Sequence, residues 1–489
     1  MFSLKKLSIY VLIAFLVSTS TRCINMKHFR NLKFSSLINF MLKFFSTESV
    51  HDKVSEKSQE KAKNWVVLVA GSKGWYNYRH QSDICHAYQL VRAHGIPEEN
   101  IITMMYNDIA YNKNNPYPGK IYNGPNNRDV YTGVKIDYSG KDVTPENFLA
   151  VLVGNKAAVK GGNGKVVESS QNDHIFVYFT DHGGVGSVSF PNSMLTVKDL
   201  NDALKRMHKL KMFKRLVFYM EACESGSMFA NVLPKNIDVY AVTASNSHES
   251  SWGCYCDNTM KLPCLGDCFS INWIVDSEKE DLNRETLASQ FQIVKKETNL
   301  SHVMHYGDLR IGQDYVAYYL GDKKANVTNI YNNLIKVENE ASVAWPSREI
   351  YLRMLKKHLD EAQTESERKT LQNKINKLEM IKVLINGNLS LFQKRAYLET
   401  FMKSLIWTVV PYQSYHEFIH SMPSSITSLD CFDDVIKAFH RLCFHFGHNP
   451  YVLKYTYIFA NLCNAGINPE KIINAMFDNC GNIEIQGIF

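Results

Sequence analysis

Five short apolar runs, each stopped by a polar residue or glycine, constrain this chain most. They are Trp65–Ala70, Ile101–Tyr106, His174–Thr180, Leu216–Met220 and Ile237–Thr243. Each is strand-length, and segments of helical period lie between them, at Arg79–His94 and Val197–Leu210. Thr144 before Pro145 starts a further helix, a natural N-cap followed by proline at the first helical position. Short buried strands alternating with helices predict an α/β fold: a mainly parallel sheet covered on both faces. Such sheets place their ligand sites at the carboxyl ends of the strands.

The pattern changes toward the C-terminus. Residues 322–346 are polar and rich in asparagine, and read as a linker. From Ser347 the sequence is helical almost throughout, and residues 347–489 read as a small all-α domain with four cysteines, at 431, 443, 463 and 480. At the other end, Lys5 and Lys6 precede the apolar run Leu7–Val17 and then small polar residues. That run is too short to span a bilayer and suits a secretory signal over residues 1–22. Residues 23–62 read as a short pro-segment, and 63–321 as the α/β domain. With a signal peptide, disulfides are allowed. Asn299, Asn326 and Asn388 fit glycosylation in the same compartment. The chain has 55 basic and 48 acidic residues, for a net charge of +7. The basic residues are scattered and form no stripe with aromatics, so nucleic acid is not an expected partner. No stable membrane anchor is expected.

Two strand ends carry the chemistry. One reads Phe176-Val177-Tyr178-Phe179-Thr180-Asp181-His182-Gly183-Gly184. The other reads Val217-Phe218-Tyr219-Met220-Glu221-Ala222-Cys223-Glu224-Ser225-Gly226. Neighbouring parallel strands end on the same rim, so His182 and Cys223 are expected to face each other there. A thiol is only slightly ionised near neutral pH, and the thiolate is the nucleophile. An adjacent imidazole can take that proton and later give it to a leaving amine. The amides of Gly183 and Cys223 are candidate donors to a developing oxyanion. No His-Glu-x-x-His motif occurs, and no metal or other cofactor is expected.

The stretches Tyr178–Gly183 and Glu221–Ser227 resemble the two signature segments of the legumain family, the asparaginyl endopeptidases. Val69–Gln81, Gly133–Leu149 and Ser301–Met304 resemble further family motifs, and the likeness runs over roughly residues 63–320. It implies a caspase-like fold and a Cys223–His182 catalytic pair, with Asn77 orienting the imidazole. It puts the asparagine pocket at Arg79, His80, Glu221, Ser250 and Asp267. That set is chemically apt, since a carboxamide presents one acceptor and one donor group. Aspartate is expected to be accepted mainly at acid pH, once protonated. Asp181 falls where the family links an aspartate to succinimide formation and peptide ligation. An asparaginyl ligase or a relative of the GPI transamidase is the alternative enzyme; the latter is expected to carry a C-terminal membrane anchor.

The C-terminal helices resemble the family's inhibitory prodomain. Cysteine count alone leaves three connectivities open; the resemblance implies Cys431–Cys463 and Cys443–Cys480. It also implies a precursor activated in an acidic compartment, a monomer acting on proteins and peptides, and cystatin-type inhibitors. The expected trigger is electrostatic: acid protonates carboxylates that hold a basic, histidine-bearing cap. Asn326, Asn329, Asn332 and Asn333 are candidates for self-cleavage. Leu352–Thr364, which corresponds to the family's activation region, has no asparagine, and Asp360 is the nearest substitute. Cys254, Cys256, Cys264 and Cys268 exceed what the family resemblance implies. They read as disulfides bracing their loop, with a zinc site as the alternative although the spacing fits no standard pattern. Cys85 reads as a buried free thiol.

Overall fold

The computed structural model describes residues 62–323, 343–379, 391–411, 415–423 and 425–480. The signal, almost all of the pro-segment, and Asn326, Asn329, Asn332, Asn333 and Asn388 lie outside the described residues.

A six-stranded sheet forms the centre, built from β1 (Asn64–Ala70), β2 (Ile101–Met104), β3 (His174–Thr180), β7 (Arg215–Glu221), β8 (Val239–Thr243) and β11 (Met304–Gly307) in the order β11-β8-β7-β3-β1-β2. All neighbouring pairs are parallel except β11 against β8. Successive residues of β1 feed opposite faces. Val67 and Val69 join one apolar cluster, and Val66, Leu68 and Ala70 join the other. A sheet buried on both sides has no polar face, which is why these strands read as near-continuous apolar runs. Two small antiparallel sheets flank it. One is a meander of β4 (Gly183–Gly184), β5 (Ser187–Phe190) and β6 (Ser193–Thr196). The other joins β9 (Trp252–Cys256), β10 (Gly266–Asp267) and β12 (Val343–Pro346).

Sequence and structure part company at a few ends. The second strand stops at Met104 because the next amide, Met105 N, turns to donate to Tyr138 O at 3.1 Å. The fifth run begins at Val239, since Asp238 has φ 54° and cannot extend the strand. Thr144 caps its helix as read, accepting from Asn147 N at 3.1 Å. The polar linker is shorter than expected: residues 343–346 form β12 and pair with β9.

Beyond β12 the described chain is helical, first with Ile350–Glu361 and Glu365–Glu379, then with a group formed by Leu391–Val409, Leu429–Leu442, Thr456–Asn464 and Pro469–Cys480. They pack around Phe439, whose ring lies 4.7 Å from that of Phe459. The same apolar cluster runs on into Val188, Phe190 and Leu195 of the β4–β6 meander. No helix among the described residues is long and apolar enough to cross a membrane.

Candidate active site

The register of β3 against β7 sets the site. Thr180 pairs with Glu221 at the last rung, and Asp181 N still donates to Glu221 O at 3.0 Å. His182 and Cys223 each lie two residues further on, so the same offset brings both to one rim. Gly183 sits so close that a Cβ there would come within 2.2 Å of the Cys223 carbonyl oxygen. Only glycine fits that approach. Asn77 reaches the rim from the short turn Trp75–Asn77, which follows β1.

His182 Nε2 lies 2.8 Å from Asn77 Oδ1, and Asn77 Nδ2 donates to Lys73 O at 2.9 Å. The asparagine therefore fixes the ring's orientation. Cys223 Sγ contacts Ser250 Oγ at 3.2 Å and Ser251 Oγ at 3.7 Å. Among the described residues no hydrogen bond joins the thiol to the imidazole, although both line one cavity. Burial holds the His182 pKa well below the ordinary histidine range, with Arg79 and Arg348 adding to the effect. The ring is thus neutral and able to accept a proton.

Behind the rim lies a buried charge cluster. Arg79 Nε donates to Asp267 Oδ1 at 2.8 Å, with both side chains at most 2% exposed. Glu221 Oε2 accepts from Ser270 N and Oγ at 3.2 and 3.0 Å. His80 Nδ1 lies 2.6 Å from Ser72 Oγ and 3.3 Å from Asp181 Oδ1. Burial, together with Asp267 nearby, lifts the carboxyls of Glu221 and Asp83 well above the usual range. Burial likewise raises Asp181 and Asp267, the latter against the pull of Arg79. Several groups in the cluster stay unused: Arg79 Nη2, a donor, Glu221 Oε1, and both carboxyl oxygens of Asp181 are buried with no hydrogen-bond partner. Native interiors rarely leave such atoms orphaned. Ligand atoms of His80, Asp181 and His182 lie within 4.8 Å of one another, the one possible metal-binding group among the described residues.

Sequence reading missed four residues here. Ser251 touches the thiol. Asp83 accepts from Asp267 N at 3.2 Å. Glu224 and Arg348 form a buried ion pair, with Arg348 Nη1 2.9 Å from Glu224 Oε1 and Nη2 donating to Gly183 O at 2.8 Å. Glu224 follows the cysteine within a quoted motif and was within reach of inspection. Arg348 lies more than a hundred residues on, and nothing local marks it.

The C-terminal region covers this rim. Ser347, Arg348, Ile350, Tyr351, Pro450 and Tyr451 line the cavity that holds Cys223 and His182. Cys431 is bonded to Cys463 and Cys443 to Cys480. The four loop cysteines pair as Cys254–Cys268 and Cys256–Cys264, so none is free to hold zinc. Cys85 is a free, buried thiol. Asn299 sits exposed after the helix Leu287–Glu297.

A cysteine and a neutral, amide-oriented imidazole at adjacent parallel strand ends make the arrangement of a cysteine peptidase. Comparison with known proteins narrows this class. Residues 64–322 match the peptidase C13 family, and residues 389–480 match the legumain prodomain. A legumain from Rattus norvegicus is 44% identical over 425 residues, covering 86% of this chain and 93% of that protein. A vacuolar-processing enzyme delta-isozyme from Arabidopsis thaliana is 39% identical, over 93% of this chain and 98% of its own length. A hemoglobinase from Schistosoma japonicum is 40% identical, over 87% of this chain and 95% of its own length. A solved caspase-1 from Spodoptera frugiperda aligns over 51% of this chain and 90% of its own, with a TM-score of 0.32 and 8% identity. That likeness is too weak to bear on the fold, which the strand order defines. The chain belongs to the peptidase C13 family and is a cysteine endopeptidase with its own prodomain.

Proposed function

We propose that the enzyme cuts peptide bonds after asparagine, with Cys223 as nucleophile, His182 as its base and Asn77 orienting the ring. Gly183 and Cys223 supply oxyanion donors. Arg79, His80, Glu221, Ser250 and Asp267 form the side-chain pocket. One observation carries this reading. Two buried polar atoms of the pocket have no hydrogen-bond partner: Arg79 Nη2, a donor, and Glu221 Oε1, which accepts when the carboxyl is ionised. A carboxamide offers the complementary pair, an acceptor oxygen and a donor nitrogen. A pocket built to bond both ends strongly rejects side chains that lack either.

Residues 347–489 act as an inhibitory prodomain released in acid, which suits an acidic compartment of the secretory pathway. The trigger lies on imidazoles rather than carboxylates. Burial raises the Glu224 carboxyl despite Arg348, and a raised carboxyl favours the closed form as pH falls. The histidines have the opposite sign. Burial, with His445 and His448 beside it, pulls His440 down to about 4. Burial also lowers His445 and His448, and Lys73 lowers both further. Once loosened, such rings take up protons near pH 6.5. The docked, folded cap therefore binds fewer protons, and its stability falls between about pH 6.5 and 4.

The test is incubation at about pH 4 to 5, then intact-mass analysis and assay on Ala-Ala-Asn, Ala-Ala-Gln and Ala-Ala-Asp reporter peptides. Cleavage after asparagine, absent in Cys223→Ser, is expected. Equal rates on asparagine and glutamine would contradict the pocket, and turnover by Cys223→Ser would remove the nucleophile assignment.

A further inference from the structure

Residues 343–348 run along β9 and past the candidate catalytic pair. β12 pairs antiparallel with the edge of β9, Trp345 opposite Gly253 and Pro346 opposite Trp252. The ladder continues one residue further, where Ser347 N donates to Ser251 O at 3.0 Å. Ser347 Oγ lies 3.2 Å from Ser251 Oγ, which itself contacts Cys223 Sγ at 3.7 Å. The next residue, Arg348, passes over Glu224 and Gly183, one residue beyond each member of the candidate pair. The chain enters along β9, passes the sulfur at Ser347 and leaves beyond it. Two features disfavour cutting there: serine carries no carboxamide, and residues 347–349 close into a 3-10 turn instead of staying extended.

An added strand gains affinity from backbone hydrogen bonds and specificity from alternate side chains. With Ser347 at the residue before the scissile bond, Trp345 occupies the third residue before it. Its side chain packs against the apolar cluster of Cys256, Cys264, Ile350 and Met354. It also borders a cavity lined by Leu262 and Pro263. Ile350 and Met354 belong to the inhibitory region and leave with it. The loop stays, braced by Cys254–Cys268 and Cys256–Cys264.

We infer that this doubly bridged loop is a specificity site for the third residue before the cut, and that it takes a large aromatic side chain. The inference rests on the asparagine-cutting reading of the Cys223 site. The Cys256–Cys264 bridge and Leu262 give the ring an apolar floor, and a ring brings a large area to cover.

The test uses acid-activated enzyme and acetylated Xaa-Ala-Asn reporter peptides, with Xaa as Trp, Phe, Ala or Asp. A second set varies the residue at the cut. Tryptophan is expected to exceed alanine about tenfold in kcat/KM, a difference within reach of one apolar side chain. In Cys256→Ser/Cys264→Ser, and independently in Leu262→Asp, this ratio is expected to fall toward one. Each ratio comes from one preparation, so losses in folded protein divide out. No cleavage after asparagine in either set would sink the underlying function. Cleavage after asparagine with a Trp/Ala ratio of about threefold or less would overturn the loop assignment alone, as would an unchanged ratio in both variants.

Discussion

Residues 343–351 and residues 425–480 cover the same cleft by different physics. The first segment lies on β9 through backbone hydrogen bonds and one buried ion pair, Arg348 with Glu224. The second packs its helices around Phe439 and docks on the β4–β6 meander through apolar side chains such as Ile426 and Phe432, which crowd Gly186. At its margin sit polar links such as Thr196 Oγ1 to Asp433 Oδ1 at 2.6 Å and Lys437 Nζ to Asp199 Oδ2 at 2.8 Å. A close-packed interface fails abruptly when a core atom is lost. A strand held by a ladder yields rung by rung at its ends. The histidines belong to the helical cover: His445 and His448 have ring centroids 4.1 Å apart, and Gly447 between them abuts the Pro191 carbonyl. On the proposed reading, acid acts on the cap, while the strand is held by its ladder and by the Arg348–Glu224 ion pair.

Substitutions on either side test that contrast. Phe439→Ala has the largest expected effect on stability, about 3–5 kcal/mol from the lost ring and its cavity. Calorimetry should show the helical unit melting well below the wild type, with the catalytic unit little changed; a single transition shifted as a whole would mean that the two covers act as one. Arg348→Met strands the Glu224 carboxylate and should cost about 3 kcal/mol. It should speed processing at acid pH without lowering the melting point of the helices, and adding Glu224→Gln should restore part of the loss. His440→Phe removes a group whose shift from 6.5 to about 4 corresponds to at most about 3 kcal/mol of acid sensitivity. The midpoint of cap release should move to lower pH in a titration on the Cys223→Ser background. An unmoved midpoint would put the trigger elsewhere. Thr144→Ala removes only a helix N-cap, distant in sequence from both covers, and should cost about 1 kcal/mol with the release midpoint unchanged.

The sheet was legible because its strands are buried on both faces, and such strands betray themselves as unbroken apolar runs. His182 and Cys223 were legible for the same reason, each lying just past the end of one of those runs. Asn77 and the start of the helix Tyr78–Ala93 carried three candidate site residues, Asn77, Arg79 and His80, in one recognisable stretch. What escaped was non-local. β12 is four residues that become a strand only because β9 offers an unpaired edge. Arg348 sits within a long basic helical stretch, and only packing picks it out from its neighbours. The proposed acid trigger likewise rests on burial, which raises the Glu224 carboxyl and lowers His440.

Every disulfide among the described cysteines closes within one half of the molecule, two before residue 323 and two after residue 430. The halves therefore share a backbone and no described cross-link. While that backbone is whole, the inhibitor meets its target at the millimolar effective concentration that a short tether confers. After one cut between them, the freed fragment is diluted to whatever concentration the surroundings impose. No reductant is required for its escape, and a modest loss of affinity becomes, by dilution alone, a departure without return.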